Sequence, residues 1–194
     1  MASYFQRLRI WIENNYKSTW GNLNEDEFQK IVKFDVYTGF QCVYQDINEI
    51  ERDICHIARA ADEWKHIDDG ERFDFVVINK SDINEEGIDG IEIGRLLLIT
   101  SARWTLEEED YVYKLAVVRM LGRIPSKDIF LPVFEYTENV EVVNLDRIVR
   151  TAHMIPHWPT EKAEIAGNQY DVYDKYEQMV WNIHTDNACW NYYY

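Results

Sequence analysis

His153 and His157 stand four residues apart in the stretch NLDRIVRTAHMIPHWP, Asn144 to Pro159. On a helix that spacing puts two imidazoles on one face, as in zinc sites that pair them with a glutamate base. Pro156 lies between them and Pro159 follows, so Ile155 is pushed toward extended backbone and a continuous helix is not expected. No glutamate adjoins His153. The pair is therefore read as structural, with no metal expected. Arg147 and Arg150 of the same stretch are expected to brace the fold through carboxylates such as Asp146 or Asp74 rather than to read DNA.

A second candidate is His184 and Asp186 in WNIHTDNACW, with Cys189 close by. These are the residue types of a base, its orienting carboxylate and a nucleophile. Such triads work through spatial geometry and an oxyanion hole, and no GxSxG, glycine-rich phosphate loop or cysteine-protease signature accompanies them. Acidic runs at Glu107–Asp110 and Ser81–Asp89 resemble calcium loops only in Asp82, Asn84 and Gly87, without the bidentate glutamate at the twelfth position. Solvated loops are expected there.

The aromatic residues carry more information. Trp104 ends one apolar run, and Tyr111 and Tyr113 open the next beside Lys114. Trp158, Tyr170, Tyr173, Tyr176, Trp181 and Trp190 crowd the C-terminus. Aromatic rings in such numbers build a cage for a cationic side chain, a core, or an interface. Trp104, Tyr111, Tyr113 and Trp158 are the expected binding residues, because aromatics at strand ends and loops are the usual anchors of an interface.

These residues have to be positioned by a scaffold. Phe5, Leu8, Trp11 and Ile12 share one helical face, which predicts a helix over residues 3–16 with Ser3 as its N-cap. Asn22–Phe28 reads as an acidic turn or short helix, and Ile31–Gln45 as one or two strands interrupted at Gly39. Ile47, Ile50, Ile54 and Ile57 recur at intervals of three and four, predicting a helix over Asp46–Trp64. From Phe73 onward the pattern is a meander of strands: Phe73–Asn79, Ile91–Trp104, Tyr111–Leu121, Ile129–Thr137 and Val140–Leu145. Acidic LEEED is read as a loop, TEN (137–139) as a tight connection, and Pro132 as an edge or bulge position. Leu145–Pro156 reads as a short helical turn and a closing strand, and Gln169–Tyr176 as a last strand. The predicted fold is α+β and mainly antiparallel. Residues 1–70 supply N-terminal helices and first strands, and residues 71–194 a β-barrel module, the two packed as a single domain.

Composition bounds the function. The 194 residues are 46% hydrophobic and 14% aromatic, too apolar for a disordered chain. A formal net charge of -15 opposes naked nucleic acid as the main ligand, since that binding is driven by lysine and arginine releasing counterions. No apolar run approaches the roughly 18 residues of a membrane span, and no signal-peptide core opens the chain. Three cysteines, Cys42, Cys55 and Cys189, without a CxxC pair fit a reducing cytosolic or nuclear compartment.

The segments Arg72-Phe73-Asp74, Gly94-Arg95-Leu96, Tyr113–Val118 and Ile148–Pro156 occur in an order that resembles the C-terminal accessory module of fungal Plavaka-type transposases, a CACTA and Kyakuja-Dileera-Zisupton-like group. The resemblance spans about residues 30 to 190. It implies an accessory piece without the upstream RNase H-like nuclease, for which this chain is too short. The same segment order is similar to the bromo-adjacent homology (BAH) domain of chromatin proteins. That likeness implies a partly open, BAH-like or SH3-like β-barrel with flanking helices. The expectation is a non-enzymatic, transposon-derived interaction domain without cofactor. It would bind a protein or histone-tail partner in the nucleus, with the cytosol as the alternative compartment and self-association left open. The competing readings are a hydrolase or metal-dependent enzyme using His153 or His184, and an accessory domain that binds DNA directly.

Overall fold

The computed structural model describes residues 2–20, 28, 31–45, 53–61, 72–80, 87–106, 108–125, 131–157 and 176–182. The chain opens with helix α1, Ala2–Trp20. Its three-and-four spacing works as predicted: Leu8 and Ile12 are fully buried, and Phe5 and Trp11 pack half-buried beside them. Ser3 falls inside α1 and so is not its cap. None of the described helices is long and apolar enough to cross a membrane.

Eleven strands follow among the described residues: β1 (Lys33–Tyr37), β2 (Gly39–Gln45), β3 (Asp53–Ala61), β4 (Arg72–Phe73), β5 (Phe75–Asn79), β6 (Ile91–Leu106), β7 (Glu109–Ile124), β8 (Val133–Asn144), β9 (Ile148–Thr151), β10 (Met154–Pro156) and β11 (Gln178–Trp181). All pair antiparallel. The main sheet runs β10-β11-β8-β7-β6-β5-β9, with β1 also on β6, while β2-β3-β4 form a smaller sheet. The predicted break falls one residue earlier, at Thr38, and Gly39 itself opens β2 opposite Arg59.

The helix predicted over Asp46–Trp64 is overturned where it is described, since β3 pairs with β2 over seven residue pairs from Gly39↔Arg59 to Gln45↔Asp53. The isoleucine spacing misleads because Ile57 faces out at 51% exposure, whereas Ala58 and Ala60, two apart, face in. Pairing with β2 and burial of that alternate face outweigh alanine's helical preference. Gly39 suits the close approach of the two strands: a Cβ there would lie 2.9 Å from the Ala58 carbonyl oxygen.

The tight connection expected at residues 137–139 is absent, because β8 is continuous through them. Arg119 pairs with Val140 and Leu121 with Tyr136, so Thr137, Glu138 and Asn139 stand opposite Met120 alone as a bulge. Side chains replace the missing ladder bonds. Thr137 Oγ1 donates to the Met120 carbonyl at 2.8 Å, and Arg119 Nε donates to the Thr137 carbonyl at 3.1 Å. Pro132 is also reassigned. It immediately precedes β8, a strand paired on both flanks, and its carbonyl accepts the Trp181 N–H at 3.0 Å. No ladder donor is lost at that position.

The opening stretch of the sequence makes the curl of the sheet. After a 3-10 turn at Leu145–Arg147, β9 pairs with β5 at one edge of the sheet, and β10, two residues later, pairs with β11 at the other. One bent segment thus carries both edges. Between them, the Ala152 N–H donates to the Phe75 carbonyl at 2.8 Å, and the His153 carbonyl accepts the Asn182 N–H at 2.9 Å. The result is a partly open barrel of the predicted mainly antiparallel α+β class.

Among the described residues the core forms three buried clusters. Phe75, Val77, Ile93, Leu121, Phe134, Met154, Met179 and Trp181 come from strands all around the curl and meet inside it. Val76, Ile78, Leu96, Ala116 and Val118 face the opposite way, onto Cys42, Ala58 and Ala60 of the small sheet. β5 is therefore apolar on both faces, which explains its unbroken run Phe75–Ile78. The third cluster joins Leu8 and Ile12 of α1 to Leu98, Ala102, Trp104, Leu115 and Val117.

Gly94 marks a close approach of β6 and β7. A Cβ there would come within 2.2 Å of Val118 Cγ1 and 3.1 Å of the Arg119 carbonyl oxygen. Val118 is fully buried and stiff at χ1, so it has nowhere to turn. Gly94→Ala is expected to destabilise the fold by about 1–3 kcal/mol, read as a lower urea midpoint.

Candidate functional site

Three of the four expected aromatic anchors, Trp104, Tyr111 and Tyr113, come together at the far end of the β6–β7 hairpin. Leu106 pairs with Glu109, so Leu106, Glu109 and Asp110 of the expected acidic loop join the ladder. Glu108 has φ 70, a left-handed conformation that costs most residues energy. Glu108→Gly is expected to raise stability by about 0.5–1 kcal/mol, visible as an increased urea midpoint. The hairpin end is tied by Thr105 Oγ1 donating to Asp110 at 2.7 Å and the Tyr111 hydroxyl donating to Glu109 at 2.9 Å.

Trp104 lies opposite Tyr111 in the ladder, and Tyr113 is on the same face two residues on. The Trp104 ring stacks with both, at centroid distances of 5.6 Å to Tyr111 and 5.1 Å to Tyr113, with planes 10° and 15° apart. Trp11 of α1 meets Tyr113 edge-on at 6.3 Å. Trp104 is only 4% exposed, so its ring is occupied by its neighbours and by the helix. The Trp104 ring is packed beneath α1, while the half-buried Tyr111 reaches the surface. Trp158, the fourth expected binding residue, lies outside the described residues.

Because strand neighbours alternate, the other face of the same hairpin carries different chemistry. Lys33, Arg103 and Val112 form one row across β1, β6 and β7; Asp35, Ser101 and Lys114 form the next. Arg103 pairs with Asp35, which also accepts a bond from Ser101 Oγ at 3.4 Å. Val112 is 56% exposed. A cleft of about 510 Å³ opens here, lined by Ile31, Lys33, Arg103, Trp104, Thr105, Asp110, Tyr111 and Val112. Sequence reasoning named Trp104 and Tyr111 and missed Val112, although placing two tyrosines on one face already puts the residue between them on the other.

The remaining candidates are scattered. His153 is exposed at the bend between β9 and β10, and His157, beyond β10, has Nδ1 3.1 Å from Gln178 Oε1. No helix aligns them, as Pro156 predicted. Among the described residues no group of three or more histidine, cysteine or acidic side chains is placed to hold a metal. His184, Asp186 and Cys189 lie outside the described residues, as do Asp82, Asn84 and most of Gln169–Tyr176. Arg147 braces the fold, but through a backbone carbonyl: its Nε and Nη2 both donate to Asn79 O, at 3.0 and 2.9 Å. Asp74 is instead engaged by Arg59 and Arg72, accepting the Arg59 backbone N–H at 2.9 Å and Arg72 Nε at 3.2 Å. Arg150 is 1% exposed, with its guanidinium over the Trp181 ring at 5.7 Å.

Fold and site together define a partly open antiparallel barrel with a helix-backed hairpin and a surface cleft at its end. The chain matches no protein-family model, no curated protein and no solved structure.

Proposed function

We propose that this chain is a non-enzymatic interaction domain that takes an extended, basic protein segment such as a histone tail into the cleft at the β6–β7 hairpin. The observation that carries this reading is the composition of the cleft. Its exposed apolar side chains, Ile31 and Val112, stand beside a hairpin end whose Glu108, Glu109 and Asp110 are all exposed. Aliphatic surface supplies the anchor, and the carboxylates supply charge complementarity to lysine and arginine. On the opposite wall Arg103 is already neutralised by Asp35, which leaves Lys33 as the opposing charge. The net charge of -15 would also draw a basic partner toward the molecule.

The resemblance of Arg72–Val77, Gly94–Leu97 and Leu145–Pro156 to the transposase accessory module, and of the barrel to a BAH domain, supports a transposon-derived protein acting on chromatin in the nucleus. That support is by analogy of family and fold, whereas the cleft supports binding directly. Titration of a lysine-rich histone-tail peptide into the purified chain tests the proposal. The double variant Glu109→Lys, Asp110→Lys is expected to bind about tenfold more weakly, a loss of about 1.4 kcal/mol.

A further inference from the structure

We draw no further inference here: the strongest candidate, the exposed apolar pair Val43 and Ile57 on the outer face of the β2–β3 hairpin, is an unpartnered sheet face, and nothing in the structure shows what covers it.

Discussion

Trp181→Ala is expected to cost about 3–5 kcal/mol, against the roughly 5–15 kcal/mol that holds a typical domain folded. Trp181 is fully buried and meets Phe134 edge-on at a centroid distance of 6.5 Å. Truncation leaves a cavity inside the curl where strands from both edges converge. It also uncovers one face of the buried Arg150 guanidinium, whose stacking partner is lost. The bond from the Trp181 backbone N–H to the Pro132 carbonyl survives the substitution, so the loss isolates the ring. Urea unfolding should show the midpoint falling sharply, with Trp181→Phe costing only about 1–2 kcal/mol because most of the volume is kept. A wild-type midpoint for Trp181→Ala would mean that the curl is not closed by β11.

Trp104→Ala is the second large effect, again about 3–5 kcal/mol. Here the ring holds α1 against the sheet, together with Leu8, Ile12, Leu115 and Val117. Two stacked tyrosines lose their shared partner, and such aromatic pairs contribute about 0.5–1.5 kcal/mol beyond area burial. Val112→Ser, eight residues along the chain on the opposite face, should change stability by less than about 0.5 kcal/mol. Comparing the two by thermal unfolding separates the buried ring beneath α1 from the exposed wall of the cleft. Equal losses would contradict the burial assigned to Trp104.

Much of the architecture was legible in the sequence. The stripe of Phe5, Leu8, Trp11 and Ile12 needed a surface to cover, and the apolar runs at Phe75–Ile78 and Leu115–Val118 could be satisfied only as interior strands. Proline placement was enough to predict that no helix aligns His153 with His157. Misreadings occurred where local pattern and tertiary pairing compete. Ile54 and Ile57 satisfy a helical spacing, but the alternate small residues Ala58 and Ala60 face the core and fit the close-packed β2–β3 ladder. Likewise Thr137-Glu138-Asn139 has the polarity of a turn, and only the neighbouring β7 makes it a bulge.

The candidate site was half legible for the same reason. A run of aromatics identifies Trp104, Tyr111 and Tyr113 as important, yet which face is core depends on α1, which lies far away in sequence. Nor does the sequence show that β1 sets Lys33 beside Arg103, a pairing across 70 positions. Local chemistry can be read from spacing, but the cleft exists only after three strands meet.

The central claim is that the hairpin-end cleft binds a basic segment through its apolar wall and acidic tip. Its most direct test is calorimetric titration of a lysine-rich histone-tail peptide into the wild-type chain and the Glu109→Lys, Asp110→Lys variant, each at low and at physiological salt. The expected result is saturable binding by the wild type that weakens with added salt, with about tenfold weaker binding by the variant at a temperature where unfolding curves show both proteins folded. Wild-type affinity in the charge-reversed variant, or no binding to either protein at low salt, would contradict it.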